Sequence, residues 1–133
     1  MSEENVELVR DSFAAWERGD LEWLDRHTDP EVEIAQPPNL PGTSTYTGKE
    51  GLREALRDWP SQWEDFRIAL VETTALDQGR VLAMTRQVGR GKGSGVEVEA
   101  DFAFLFTVRQ GKLVRWQMFT GREEALEAAG LSE

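Results

Sequence analysis

Residues 101–119 read DFAFLFTVRQGKLVRWQMF, and this stretch decides the fold of the 133-residue chain. Apolar and polar side chains alternate on both sides of residues 109–111, which predicts two antiparallel strands joined by a hairpin. A three-residue loop ending at Gly111 pairs Phe104 with Trp116, so that one face of the hairpin is almost wholly aromatic. The other face is mixed, which is typical of a wet surface or a subunit interface.

The two-residue period continues toward the N-terminus, with breaks at residues 77–79 and 89–95. This pattern predicts a four-stranded antiparallel meander. If each break is a symmetric hairpin, Arg86 lies near Val98 and points to the aromatic face. Glu72 then lies diagonally across the neighbouring strand, within reach of the arginine.

Before and after the meander, apolar residues recur at spacings of three and four, which predicts helices in both places. We therefore predict an α+β fold in which a cone-shaped, curved antiparallel sheet has three helices packed on its concave side. The length of the chain and its 39% of hydrophobic residues fit one domain over residues 1–133.

Composition excludes several classes of function. A net charge of -10 disfavours nucleic acids and anionic membranes as partners. The acidic N-terminus and the short apolar runs predict a cytoplasmic protein without a spanning helix. The chain has no Cys and one His, so neither a metal site nor a cofactor is expected.

Aromatic residues of the predicted helices can cover the aromatic face of the sheet. The open end of such a cone leaves an apolar pocket, which is the usual form of a small-molecule site. Its predicted walls are Trp16, Trp59, Trp63, Phe104, Phe106, Trp116 and Met118. A cone filled by its own side chains is the alternative.

Few polar residues are candidates for chemistry in this pocket. Arg86 is either the partner of Glu72 in a structural ion pair or the anchor for an anionic group of a ligand. Glu72 and His27 are the candidate proton carriers of an enzyme. His27 also suits a helix end, where cations are favoured.

Apolar residues on the mixed face of the sheet predict a second interaction. Ala103, Leu105, Leu113 and Phe119 lie there in the predicted register, and exposed apolar residues on a sheet are commonly an oligomer surface. We therefore predict a homodimer that packs sheet to sheet.

Several segments occur in the order of a known family. They are AAWERGDL at 14–21, Val32-Glu33-Ile34, YTGKEGL at 46–52 and GKLVR at 111–115. In these segments the chain resembles the SnoaL-like branch of the NTF2-like superfamily, whose fold is a cystatin-like α+β cone. The resemblance implies the same fold and a homodimer. It leaves function open, because the superfamily includes ketosteroid isomerases, polyketide cyclases, dehydratases, epoxide hydrolases and binding modules.

The resemblance also implies where an isomerase would carry its catalytic groups. The position of the family's aspartate base holds Ile34, the tyrosine falls near Ser12 or Phe13, and the protonated aspartate falls at or beside Phe104. The carboxylates nearest in sequence, Glu33 and Asp101, alternate onto the wetter face. The isomerase mechanism is therefore disfavoured.

These observations predict a small-molecule-binding domain with an apolar pocket and an anchor for an anionic group. One alternative is a cofactor-independent isomerase, cyclase, dehydratase or hydrolase acting on a polyketide-like or terpenoid-like substrate. Another is a structural or dimerisation module with a filled cone. The sequence leaves open whether the domain is catalytic.

Overall fold

Helices and two strands make up the first half of the fold. The computed structural model describes residues 2–35, 45–58 and 60–130. Its first elements are α1 (Ser2–Glu17), α2 (Leu21–Arg26), β1 (Thr28–Ala35), β2 (Thr45–Thr47), α3 (Gly48–Asp58) and a 3-10 turn at Pro60–Gln62.

Long strands make up the second half, where side chains alternate between apolar and polar. They are β3 (Trp63–Ala75), β4 (Arg80–Gly91), β5 (Glu97–Arg109) and β6 (Lys112–Phe119), and helix α4 (Arg122–Ala128) follows. All three successive pairs are antiparallel, as the predicted meander requires.

The first two strands extend this meander to a six-stranded sheet in the order β2-β1-β6-β5-β4-β3. Strand β1 lies parallel to β6, with Ile34 beside Trp116. The mixed α+β architecture with a curved sheet confirms the predicted fold class. The parallel pairing places the first strand of the chain next to the last.

The hairpin between β5 and β6 differs from its predicted form. Its loop has two residues, Gln110 and Gly111, with φ of 53° and 74°. Positive φ at both positions is the geometry of the type I′ turn, which matches the twist of the strands. Together with a bulge in β6, this turn moves the pairing by two residues, so that Phe106 faces Trp116 and Phe104 faces Met118. Because the shift is even, these aromatic residues stay on one face.

The register between β4 and β5 is shifted by an odd number of residues. In the predicted register Val88 pairs with Val96, whereas in the structure Val88 pairs with Glu99. Strand β4 continues through the glycines at 89 and 91 instead of ending before them. A shift of three residues turns the even-numbered side chains of β4 to the other face of the sheet.

The two faces of the sheet have separate apolar clusters. The inner face packs against α1, α2 and α3 through a core that includes Val9, Leu24, Leu52, Val81 and Phe106. Three helices therefore cover the concave side, as predicted. The outer face packs against α4 through a smaller cluster built on Leu82, Ala103 and Ala125.

Two features are absent from the described part of the chain. None of its helices is long and apolar enough to cross a membrane. Its His, Asp and Glu side chains form no group of three that could hold a metal ion.

Candidate functional site

An apolar cavity of about 70 Å³ lies between the inner face of the sheet and the three covering helices. Pockets for drug-sized ligands enclose about 300–1,000 Å³, so this cavity suits a small molecule or part of a larger one. It is lined by Ser12, Phe13, Trp16, Leu24, Ile34, Ala35, Ala55, Leu56, Phe104, Phe106, Leu113, Trp116 and Met118.

Periodicity explains why these side chains meet. Ser12 and Trp16 lie four residues apart, and so share a face of α1 with Phe13. Phe104 and Phe106 alternate on β5, where both point inward. The ring of Phe13 lies 5.7 Å from each of these two phenylalanines at 76° and 82°. Edge-to-face contacts at this distance stabilise aromatic pairs, so the wall next to α1 is held by its own packing.

Five of the predicted wall residues line this cavity, namely Trp16, Phe104, Phe106, Trp116 and Met118. Their role in binding a ligand stays a prediction. Leu24, Ala55 and Leu56 also line the cavity but were not predicted as wall residues. Helical periodicity marks all three as apolar positions, but nothing in the sequence shows which apolar positions border a void.

Two other predicted wall residues are not in the cavity lining. Trp63 is half-buried and packs on Gly89, where an added Cβ would come within 2.8 Å of the Trp63 Cβ. It therefore covers the strand next to it rather than the cavity. Trp59 lies outside the described residues, so its predicted place is not tested.

Arg86 does not point into the cavity. Its guanidinium lies on the outer face, 53% exposed, and donates to Asp101 at 3.0 Å. The hydrogen bond that Arg86 donates to Asp101 and the negative charges of Asp101 and Glu99 raise the pKa of Arg86. The prediction that Arg86 points into the pocket as an anionic-group anchor is wrong in its orientation, because the register between β4 and β5 is shifted by an odd number of residues. Binding of a ligand by Arg86 stays a prediction.

Glu72 is also on the outer face. Its Cα partner is Met84, as the predicted hairpin requires, but that part of β4 faces outward. The Glu72 carboxylate is 51% exposed and accepts a hydrogen bond from Arg122 at 3.2 Å. Glu72 therefore neither pairs with Arg86 nor lines the cavity, so its predicted position is wrong, while its proton-carrying role stays a prediction.

His27 ends helix α2 and does not line the cavity. Its Nδ1 lies 2.8 Å from the carbonyl oxygen of Trp23, and its ring stacks on the Trp23 ring at 4.0 Å. This is the helix-end position that was the alternative prediction for His27. His27 therefore lies outside the cavity lining, and its predicted role as a proton carrier stays a prediction.

The described walls contain no titratable side chain. Their one hydroxyl, on Ser12, donates to the carbonyl oxygen of Val9 at 2.6 Å. General acid–base chemistry needs a group that gains or loses a proton within hydrogen-bond reach of the substrate. The cavity offers shape and apolar surface, and its described walls provide no such group.

Comparison with known proteins agrees with this architecture. A family model described as the SnoaL-like domain matches residues 9–116. The chain belongs to the SnoaL-like domain family. This assignment confirms the resemblance in the sequence, and it places most of the cavity walls inside the family's own region.

Relatives of this SnoaL-like domain carry little functional information. An uncharacterized protein of Mycobacterium tuberculosis is 27% identical over 125 residues, which cover 93% of this chain and 94% of that protein. An NTF2-like protein from Burkholderia xenovorans has a TM-score of 0.76 at 28% identity, covering 100% and 98% of the two chains. The structure of TerC co-crystallized with polyporic acid has a TM-score of 0.76 at 23% identity, covering 96% and 97%.

The SnoaL-like domain places the three positions implied by isomerase-type relatives around the cavity. Ile34, Ser12, Phe13 and Phe104 all line it. Glu33 and Asp101 point outward instead, toward Arg115 at 3.7 Å and Arg86 at 3.0 Å. The positions that the resemblance implies therefore border the cavity, and they carry apolar or hydroxyl side chains instead of acids.

Proposed function

We propose that this SnoaL-like domain binds a small, uncharged, largely apolar molecule between its sheet and helices, without catalysing a reaction on it. The supporting observation is the combination of an open apolar cavity with walls that contain no titratable side chain among the described residues. Burying an unpaired charge against such walls would cost several kcal/mol, which favours a neutral ligand over an anionic one.

Aromatic walls favour a ligand with a flat, unsaturated body. Phe106 lies 5.8 Å from Trp116 and 5.9 Å from Phe104, so rings border the cavity on both inner strands. Such rings bind other rings by stacking and edge contacts. TerC, whose structure resembles this fold, has been co-crystallized with polyporic acid. Its example supports the idea that the fold can hold a small organic molecule.

Binding is tested by titrating the protein with p-xylene and following the indole N–H resonances of its tryptophans by NMR. Trp16 and Trp116 line the cavity, whereas Trp23 stacks on His27 outside it. We expect the first two resonances to shift in a saturable way and that of Trp23 to stay in place. Absence of any saturable shift would overturn the proposal.

A cavity-filling variant makes the test specific. Ala55 lines the cavity from helix α3, so Ala55→Leu should occupy the space and weaken p-xylene binding about tenfold or more. The matched control is Ala14→Leu, an exposed position on helix α1. Equal affinities for the two variants would show that the probe binds somewhere else.

A further inference from the structure

Ser12 carries the only side-chain oxygen among the described residues that line the apolar cavity. It is 6% exposed and forms the wall on helix α1 together with Phe13 and Trp16. Its side chain consists of one carbon and one hydroxyl group, so a molecule that touches this side chain lies within reach of the oxygen. The direction of the hydrogen bonds at this oxygen therefore decides what a ligand finds there.

The hydroxyl hydrogen of Ser12 is already used. Its Oγ lies 2.6 Å from the carbonyl oxygen of Val9, one turn earlier in α1. O–H···O hydrogen bonds span about 2.5–3.0 Å, so this bond is fully formed. A carbonyl oxygen can only accept, and the serine must therefore be the donor. Ser12 thus meets a ligand as a hydrogen-bond acceptor.

The lone pairs of the Ser12 oxygen remain available for a ligand. A hydroxyl oxygen has two of them, and among the described residues the bond to Val9 is the one hydrogen bond of this side chain. Hydrogen bonds in a chain polarise one another, so a hydroxyl that donates is also a better acceptor. An O–H or N–H group of a ligand would extend the chain through Ser12 to Val9.

The other polar atoms of the described walls do not offer this acceptor. Trp16 and Trp116 carry indole N–H groups, which only donate. The thioether sulfur of Met118 is a weak acceptor, and the amide nitrogen of Gln87 lies 3.9 Å from it. A donor group of a ligand therefore finds one strong side-chain acceptor in the described walls, and without it the buried donor would be costly.

We infer that Ser12 is a specificity-determining residue that accepts a hydrogen bond from one uncharged hydroxyl or N–H group on an otherwise apolar ligand. This inference rests on the proposed function and narrows its ligand class. The tyrosine that the resemblance implies near this position would donate a hydrogen bond instead. The preference at Ser12 therefore has the opposite polarity to that of an oxyanion-binding group.

The experiment uses three probes that share a methylphenyl body. The hydroxyl of p-cresol can donate, the oxygen of 4-methylanisole can only accept, and p-xylene has no polar atom. Dissociation constants are measured by the same NMR titration for the wild type and for Ser12→Ala. We expect the substitution to weaken p-cresol binding about five- to tenfold and to weaken neither of the other probes by more than about twofold.

The matched control is Ser61→Ala. Ser61 is exposed, and its hydroxyl also donates to the carbonyl oxygen three residues earlier, that of Asp58, at 2.8 Å. Ser61 does not line the cavity. The same deletion at this position should leave all three affinities unchanged.

Several results would overturn the inference while the proposed function stands. They are equal losses for all three probes in Ser12→Ala, no loss for any of them, an equal loss for p-cresol and 4-methylanisole, or a wild type that binds p-xylene but not p-cresol. If no probe binds the wild type, both proposals fail.

A second variant covers the case in which Ser12→Ala does not fold. Ser12→Cys keeps the shape of the side chain, but sulfur accepts hydrogen bonds only weakly. We expect it to weaken p-cresol binding about threefold or more and to leave p-xylene binding within about twofold. An unchanged affinity for p-cresol would overturn the role given to the serine oxygen.

Discussion

The two faces of one sheet show how differently the same strands can be used. On the inner face, Phe104, Phe106 and Trp116 pack under three helices around an uncharged cavity. On the outer face, arginines and carboxylates pair across strands in contacts such as Arg86 with Asp101. The apolar and the charged residues are separated only by their alternation along each strand, because neighbouring residues of a strand point to opposite sides of the sheet. The register between strands therefore decides which side chains can belong to a site on the inner face. An error by an odd number of residues moves a side chain to the other face, and an error by an even number does not.

The largest expected contrast is in stability. Phe106 is almost fully buried and touches Phe13, Phe104 and Trp116. Phe106→Ala should therefore lower the free energy of unfolding by about 3–5 kcal/mol, measured by urea denaturation. Arg86→Ala, on the outer face, should leave the urea midpoint nearly unchanged, because exposed ion pairs contribute little. Similar losses for the two variants would contradict the division between the faces.

The predicted homodimer is the next test of the outer face. Of the four residues that suggested it, Leu113 lies in the inner core, and Ala103 and Leu105 are buried within the single chain. Phe119 packs beside α4. The outer face is thus less apolar than the sequence predicts, and dimerisation through it stays a proposal.

Sedimentation analysis checks that proposal directly. Ala69 is exposed and pairs with Arg86, so its side chain lies on the outer face. Ala69→Lys should convert a wild-type dimer to a monomer, and Ala14→Lys on helix α1 should not. A monomeric wild type would show that the sheet-to-sheet dimer is wrong.

The smallest expected effect is at the start of helix α2, which supplies Leu24 to the cavity. The backbone N–H of Trp23 donates to the Asp20 carboxylate and lowers its pKa below the ordinary 3.8. A lowered folded-state pKa means that the ionised cap stabilises the fold above the unfolded-state pKa. This contribution is lost as pH falls through the folded-state value.

Asp20→Asn keeps an oxygen acceptor but removes the titration. The wild type should unfold at a higher temperature than this variant near neutral pH, and the difference should shrink as pH falls below 3.8. Thermal denaturation followed by circular dichroism across that range measures it. A difference that stays constant with pH would contradict the role given to the carboxylate.

Much of the fold could be predicted because its signals are local. The alternation from Phe66 to Thr120 specifies strands, and an even error in the last hairpin leaves Phe104 and Trp116 on the correct face. Arg86 was misplaced because a loop with four glycines is compatible with several registers, and the actual one differs by three residues. Loop composition does not fix that number, since glycine suits both a strand and a turn.

The cavity itself was less predictable than its walls. Whether a hollow remains depends on how closely Leu24, Ala55 and Leu56 approach the sheet, which is a property of packing rather than of pattern. The register error that misplaced Arg86 also affected Thr85 and Gln87, because all three residues belong to β4. Thr85 and Gln87 are buried in the structure. The error in this one register therefore assigned the polar residues of the whole strand to the wrong faces of the sheet.

The parallel pairing of β1 with β6 has a consequence for synthesis of the protein. When β1 leaves the ribosome, the strand that will hold it in the sheet has not yet been translated. The edge of β1 that pairs with β6 stays unpaired until nearly the whole chain has been synthesised. Contacts between segments so distant in the sequence slow folding. Ile34 and its neighbours can pair with β2 early but lack their partners on β6 through most of translation. The cavity between sheet and helices therefore closes only after β6 has been synthesised.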